Sequence, residues 1–185
     1  MNWRNTSVRY GPLSIGLHWV MLLLIAAVYA CIELRSFYPK GSELRDTLKT
    51  WHFMLGLTVF VLALVRVAAR FVSGPAPHIE PPAARWQELM AKIVHFALYA
   101  LMLALPLAGW LILSASGKPI PFFGLQLPAL IAENKELGRS IKDIHETAGT
   151  VGYFLIGLHA VAALYHHYFL RDSTLRSMLP GGRRG

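Results

Sequence analysis

The chain has 185 residues, of which 55% are hydrophobic and only 15% are charged, and its formal net charge is +8. A soluble domain of ordinary composition carries about a quarter charged residues, so this composition excludes a typical soluble enzyme. The single cysteine, Cys31, excludes an internal disulfide framework and a cysteine-rich metal site. No C-x-x-C-H run occurs in the sequence, which excludes haem attached through thioethers.

Four apolar stretches are each long enough to cross a bilayer as a helix, which takes about 20 residues. In chain order they cover about residues 13–34, 50–72, 92–113 and 144–170. The fold class that follows is an all-α membrane protein, a single domain over residues 1–185 that forms a four-helix transmembrane bundle in the lipid bilayer. The proline-rich connector at 73–84 is expected to be irregular.

Four spans place both termini on the same side of the membrane. Lys and Arg number ten on that side and eight on the other. Because the positive-inside rule counts these residues, the termini are expected in the cytoplasm. The basic residues at the C-terminal end, among them Arg183 and Arg184, indicate a membrane-anchoring signal rather than a nucleic-acid patch, so no nucleic-acid partner is expected.

The histidines carry the chemistry, because ionisable side chains inside membrane helices are rare and point to function by default. Of the eight histidines, only His78 lies in a connector. In the fourth span His145, His159 and His166 follow one another at intervals of 14 and then 7 positions, which brings them back to nearly the same helix face. The first two are then roughly 21 Å apart along the helix axis.

Two histidines of other spans complete this pattern. His52 begins the second span on the side of His145, and His18 lies in the first span on the side of His159. The sequence therefore predicts two imidazole pairs, one near each membrane surface. Helix bundles hold cofactors between facing helices in this way, and histidine is a standard axial ligand of haem iron. Zinc requires ligands that converge on one point, so two b-type haems are the better interpretation, with interhelical hydrogen bonding as the alternative for any single histidine.

His95 in the third span belongs to neither pair, and three roles stay open for it: a competing ligand of the inner haem, a quinone contact or a packed polar residue. His166 is the better candidate for contact with a second ligand, because it lies on the same stripe as His159. A haem-free channel or transporter with a histidine proton path is a further alternative. The apolar middles of the first two spans, at 22–28 and 59–65, argue against it.

The run from Gly152 to Ala160, which continues into His166-His167-Tyr168-Phe169, resembles the bacterial cytochrome b561 family and, within it, the two-haem members that oxidise superoxide. Further motifs support the resemblance: Ile15-Gly16-Leu17-His18-Trp19, the stretch from Glu33 to Pro39, His145-Glu146-Thr147, and Phe123-Gly124-Leu125 followed by Pro128. Ile144 departs from these members, which have an aromatic residue before the histidine. The resemblance implies haem ligation by His18, His52, His145 and His159, and a ubiquinone site near the inner haem with His166, Trp19 and, as a further candidate, His95.

The resemblance also implies an activity, that of a superoxide:ubiquinone oxidoreductase in the bacterial inner membrane. Such an enzyme takes electrons from superoxide on the periplasmic side and passes them through both haems to ubiquinone. Basic side chains at the outer helix ends give a physical rationale, because a cleft of one charge sign concentrates small ions of the other. The candidates for superoxide approach are Arg35, Lys49, Arg139 and Lys142.

Two alternatives accompany this activity. Each of these cations could simply anchor a helix end at the interface, and acidic residues on the same face mean that any steering depends on local arrangement. The chain could also be an electron-transfer cytochrome b subunit that links a partner dehydrogenase or hydrogenase to the quinone pool. Short outer loops and a brief C-terminal tail favour a free-standing enzyme without a protein partner.

Overall fold

A computed structural model describes residues 3–181 and is mostly helical. Four long helices make up most of it: α1 (Pro12–Leu34), α2 (Glu43–Val72), α3 (Arg85–Ala115) and α4 (Lys135–Tyr165). Each is long and apolar enough to cross a membrane, which confirms the predicted four-helix membrane architecture. Arg183 and Arg184, which are two of the basic residues on the side of the termini, lie outside the described residues.

Three of the helices begin well before the predicted spans. α2, α3 and α4 start at Glu43, Arg85 and Lys135, whereas the apolar stretches start near 50, 92 and 144. Hydropathy marks only the part of a helix that lies in lipid. It therefore does not reveal the polar first turns that precede the apolar stretch. Acidic residues in these first turns favour helix formation through the helix dipole. The Asn134 side chain also caps α4, because its Oδ1 accepts a hydrogen bond from the Leu137 N–H at 3.0 Å.

Large apolar side chains on these helices point outwards. Phe71, Phe96 and Phe154 are 82%, 76% and 75% exposed. Exposed apolar surface of this extent marks contact with another apolar phase, and on helices of this length that phase is lipid.

The chain divides into two compact units, each with parts of all four long helices. The central unit comprises Met21–Ala63 and Leu101–Val151. Its core holds two buried clusters: Met21, Val59 and Ala63 form one, and Leu57, Leu113 and Ile120 the other.

A short antiparallel hairpin also belongs to the central unit. It pairs β1 (Ile120–Phe122) with β2 (Leu125–Leu127). The two turn residues, Phe123 and Gly124, have φ angles of 46° and 85°. A two-residue turn with both φ angles positive has the twist that joins adjacent strands, so the turn fixes the position of the connector between α3 and α4.

The terminal unit comprises Met1–Val20, Leu64–Ala100 and Gly152–Gly185. Three segments of it outside the four long helices are joined by hydrogen bonds: the loop before α1, the proline-rich connector and the segment at 171–181 after α4. We call the last of these the C-terminal segment; it contains a short 3-10 helix (Arg176–Met178). The bonds run from Tyr10 N to Ser177 O (3.2 Å), from Ser173 N to Glu80 O (2.9 Å) and from Asn5 N to Ser73 O (2.9 Å).

Candidate functional site

The central unit brings His52 of α2 and His145 of α4 together. Their ring centroids are 6.3 Å apart and the ring planes make an angle of 76°. His52 Nδ1 lies 3.0 Å from the Val28 carbonyl oxygen; a carbonyl only accepts, so Nδ1 carries the hydrogen and Nε2 of the neutral ring keeps its lone pair. A backbone carbonyl that orients a histidine in this way is typical of metal-binding imidazoles.

Glycines leave space beside this pair. Gly56 and Gly149 each follow a histidine of the pair by one helical turn, and a Cβ atom added at either position would meet no atom within 4 Å. At Gly109 of α3 an added Cβ would lie 3.8 Å from Cε1 of His145. The histidine faces of α2 and α4 therefore adjoin open space that a flat ring system could fill.

The terminal unit holds the second predicted pair, His18 of α1 and His159 of α4. Their ring centroids are 6.1 Å apart. Two metal–nitrogen bonds of about 2 Å, together with the inner half of each ring, account for about 6 Å between ring centres. Both pairs therefore have the spacing expected of two imidazoles on opposite sides of one haem iron. Among the described residues no group of three or more His, Cys, Asp or Glu side chains could hold a metal ion.

His95 of α3 lies beside the second pair. Its ring centroid is 5.2 Å from that of His159, which is closer than two ligands on opposite sides of one metal ion would be. His95 therefore lies at the predicted inner site, but the spacing of about 6 Å expected of two haem ligands is found between His18 and His159.

A guanidinium group also contacts this pair. Arg66 Nη2 donates a hydrogen bond to His18 Nδ1 at 3.0 Å, and the Arg66 guanidinium lies 5.6 Å from the centre of the Tyr99 ring. None of the ion pairs formed within residues 3–181 involves Arg66. Burial raises the pKa of Tyr10, whose hydroxyl lies within the fields of Arg66 and Arg70, so no phenolate balances the guanidinium charge. No ion pair formed within residues 3–181 therefore neutralises the Arg66 guanidinium.

Basic side chains gather at one end of the central unit, in a group that we call the cationic cleft: Lys49 and Lys118, with Arg35 and Arg45 nearby. Lys49, Lys118 and the single acid Asp46 line a cavity of about 400 Å³, and the charges of Lys118, Arg35 and Arg45 all act on Lys49. Lys49 precedes His52 by one helical turn, and its ammonium group lies 5.9 Å from the Phe53 ring centre. The cleft therefore has a positive charge excess beside the first histidine pair.

This cleft differs from the set of basic residues expected from the sequence. Arg35 and Lys49 belong to it, whereas Arg139 and Lys142 do not line the cavity. The ammonium group of Lys142 pairs with the Glu146 carboxylate at 2.7 Å, which neutralises its charge. The sequence does not single out Lys118 and Arg45 among the basic residues of the outer side. The connector after α3 brings Lys118 to Lys49, whereas Arg45 lies four positions before Lys49 in the polar start of α2.

The residues assigned to a quinone by resemblance lie in the terminal unit. His166 Nδ1 lies 2.5 Å from Oδ2 of Asp172, and Trp19 Nε1 donates to the Met178 carbonyl oxygen at 2.9 Å. Burial would raise the pKa of Asp172, but hydrogen bonds from His166 and Thr174 outweigh it and hold that pKa below its ordinary value. Asp172 was missed in the sequence, because nothing there shows that the chain turns back onto α4 after residue 170.

Comparisons with known proteins place nearly the whole described chain in one family. Residues 9–181 match the family model described as prokaryotic cytochrome b561. The chain is 41% identical to cytochrome b561 homolog 1 of Escherichia coli K12, over 93% of this chain and 97% of the relative. It is 37% identical to the probable superoxide oxidase CybB of Yersinia pestis, over 95% of this chain and 98% of the relative. The chain is 29% identical to cytochrome b562 of Cereibacter sphaeroides, over 92% of this chain and 94% of the relative.

Proposed function

The chain belongs to the prokaryotic cytochrome b561 family, whose members are haem-binding electron-transfer proteins of bacterial membranes, and on this premise we propose that it oxidises superoxide and reduces ubiquinone. In the balanced reaction two superoxide anions each give up one electron and leave as O₂. Ubiquinone takes up the two electrons and two protons and becomes ubiquinol. The protein acts in the inner membrane, with its termini and the quinone site on the cytoplasmic side.

Two b-type haems are held by His52 with His145 and by His18 with His159. The imidazole spacings of 6.3 and 6.1 Å support this assignment, as does the His52 tautomer set by Val28. When bound, haem supplies the one-electron transfer.

The cationic cleft is the observation that carries the choice of superoxide. Lys49 and Lys118 line the cavity with Asp46 as its only acid, so the local field attracts a small anion towards His52. The name of the Yersinia pestis relative points the same way. Within the set predicted from sequence, Lys49 lines the cavity and the charge of Arg35 acts on Lys49, so both act in this approach. Arg139 and Lys142 contribute less, because they neither line the cavity nor act on Lys49.

At the other site His166 donates a hydrogen bond to a quinone carbonyl oxygen, and Trp19 and His95 line the position of the ring. His166 and Trp19 are both fixed by hydrogen bonds to the C-terminal segment. An imidazole titrates in the range in which a proton is readily passed on at neutral pH, which suits a reaction that consumes protons.

A superoxide pulse tests the whole proposal. Oxidised, purified protein is mixed with superoxide and its visible spectrum is followed, with and without superoxide dismutase. We expect the b-type bands to become reduced, the dismutase to prevent it, and added ubiquinone to restore the oxidised spectrum. Haem that stays oxidised under superoxide contradicts the proposed donor and points to a partner protein as the source of electrons.

Arg66 provides a separate test of the haem held by His18 and His159. Arg66 donates to His18 Nδ1, so the hydrogen of the neutral imidazole lies on Nε2. For Nε2 to bind iron, the guanidinium would have to leave Nδ1 for another acceptor. The haem propionates would offer it carboxylate oxygens. A positive charge near iron favours the reduced form. We therefore expect Arg66→Gln to lower the midpoint potential of one haem by roughly 60 mV, a tenfold change for one electron.

The measurement for Arg66 is a spectroscopic redox titration. Arg85→Gln is the matched control, since Arg85 is an exposed arginine at the start of α3. Equal potentials in Arg66→Gln and the unchanged protein would show that the guanidinium does not act on the haem.

A further inference from the structure

We propose that Asp172 is the positioning residue of a proton-delivery site, in which its carboxylate holds the His166 imidazole ready to protonate a bound quinone. The inference rests on the proposed function, since it concerns the source of a proton that quinone reduction consumes. No motif in the sequence and no comparison singles out Asp172.

The geometry of the pair carries the inference. The distance between His166 Nδ1 and Asp172 Oδ2 is 2.5 Å, and the side chains are 16% and 2% exposed. A carboxylate with a lowered pKa only accepts hydrogen bonds, so Nδ1 of the imidazole carries a hydrogen at all times. Nε2 is then the ring nitrogen left to pass a proton to a bound quinone.

Backbone geometry holds Asp172 in place independently of the His166 side chain. After Tyr165 the helix widens into a π-helical turn (His166–Leu170), and Arg171 then takes a left-handed conformation with φ of 55°. The turn directs the chain back, and the Asp172 N–H donates to the His166 carbonyl oxygen at 3.2 Å. π-helical turns occur frequently at functional sites, and this one places the carboxylate against the imidazole six residues earlier.

The other polar groups around the pair leave its charge balance intact. The Thr174 N–H donates to Asp172 Oδ1 at 2.9 Å, which occupies the second carboxylate oxygen. The Arg176 guanidinium donates to the backbone carbonyls of Arg171 and Asp172, at 3.3 and 3.4 Å, rather than to the carboxylate. The Tyr165 ring lies 6.3 Å from that of His166. Among these groups, His166 is therefore the one that can pair as a cation with the Asp172 carboxylate.

The same C-terminal segment holds the other residue assigned to the quinone. Trp19 Nε1 donates to the Met178 carbonyl oxygen, and the Trp19 ring lies 5.5 Å from that of His18. A segment that fixes both Trp19 and His166 sets the position of a quinone relative to the His18 ligand. The same segment therefore positions His166, which carries the proton, relative to His18, which binds the haem that donates the electron.

The proton balance is as follows. The doubly protonated His166 gives the Nε2 proton to one quinone carbonyl oxygen as the quinone is reduced, and Nε2 then regains a proton from water on the cytoplasmic side. The second carbonyl oxygen takes its proton from the same water phase. Asp172 stays ionised throughout, and both electrons come from superoxide by way of the haems.

The test separates the two halves of the reaction in Asp172→Asn. Haem reduction by superoxide needs no quinone and should keep its rate. Reoxidation of the reduced haem by ubiquinone should be about tenfold slower at pH 7.5, because losing one charge-assisted hydrogen bond to the imidazole typically costs about tenfold. Lowering the pH should bring the rate back towards that of the unchanged protein, while KM for ubiquinone stays within a factor of about two.

Three further variants make the test decisive. Asp172→Glu keeps the charge and should restore the pH profile, and Asp143→Asn, an exposed aspartate of the central unit, should behave as the unchanged protein. His166→Gln should be slow at every pH, which gives a second reading if Asp172→Asn loses haem or elutes as aggregate. Unchanged reoxidation and pH profile in a haem-replete Asp172→Asn protein overturn this inference alone. Failure of ubiquinone to oxidise even the unchanged protein overturns the proposed acceptor and this inference together.

Discussion

Replacing both members of one histidine pair is expected to remove one haem and to spare the other. In His52→Ala/His145→Ala the low-spin b-type bands per protein should fall to about half, since both imidazoles of one iron are gone. The single variants should lose nearly as much as this double variant, because an iron that has lost one of its two ligands loses its low-spin spectrum. Members of one site are strongly non-additive in this way.

The cross-pair variant His52→Ala/His18→Ala gives the opposite result under the same assignment. It touches both sites, so almost all of the low-spin absorption should disappear. Visible spectra and extracted haem per protein measure both outcomes. His78→Ala is the matched control, because His78 is exposed in the connector and only its backbone is hydrogen-bonded. Complete loss of haem in the within-pair double variant, with a normal elution volume, would contradict two separate sites.

Reversing the charge of the cationic cleft is expected to slow the reaction with superoxide without affecting haem content. In Lys49→Glu/Lys118→Glu the cavity changes from two cations and one acid to three acids, so a small anion is repelled instead of attracted. Electrostatic steering raises association rates by about 10- to 1,000-fold, and a loss of at least about tenfold in the rate of haem reduction should result at low ionic strength. Salt should narrow the difference, because it screens exposed charges.

The comparison within this series tests the cleft rather than the net charge. Lys135→Glu makes the same charge change at a site where Lys135 is 77% exposed and paired with Glu133, and it should leave the rate unchanged. Lys142→Glu should have a smaller effect than Lys118→Glu, since Lys142 is already paired with Glu146. Stopped-flow rates of haem reduction at several salt concentrations measure all variants, and equal slowing by Lys135→Glu would show that only overall charge matters.

The four spans and both histidine pairs could be predicted from the sequence because they follow local rules. An apolar stretch of about 20 residues marks a membrane helix wherever it occurs. The interval of 14 residues between His145 and His159 fixes their shared face through helix geometry alone. The starts of α2 at Glu43 and of α4 at Lys135 could not be predicted in this way, because polar first turns carry no hydropathy signal.

The rest depends on how the chain turns between helices. Lys118 reaches the cleft because the chain turns directly after α3, where Gly117 has a φ of 63° and the Lys118 N–H donates to the Leu113 carbonyl oxygen at 3.0 Å. Asp172 reaches His166 because Arg171 is left-handed. The bond between Arg66 and His18 depends on the rotation of two helices about their own axes. None of these has a periodicity that a sequence reveals.

The C-terminal segment also constrains the biosynthesis of the protein. It is synthesised after all four helices, yet its backbone hydrogen-bonds to Tyr10 and Glu80, which leave the ribosome much earlier. The terminal unit therefore closes only once translation has passed residue 177. Until the C-terminal segment is in place, His166 and Trp19 lack their hydrogen-bond partners Asp172 and Met178, so these two side chains are among the last to be fixed as the protein folds.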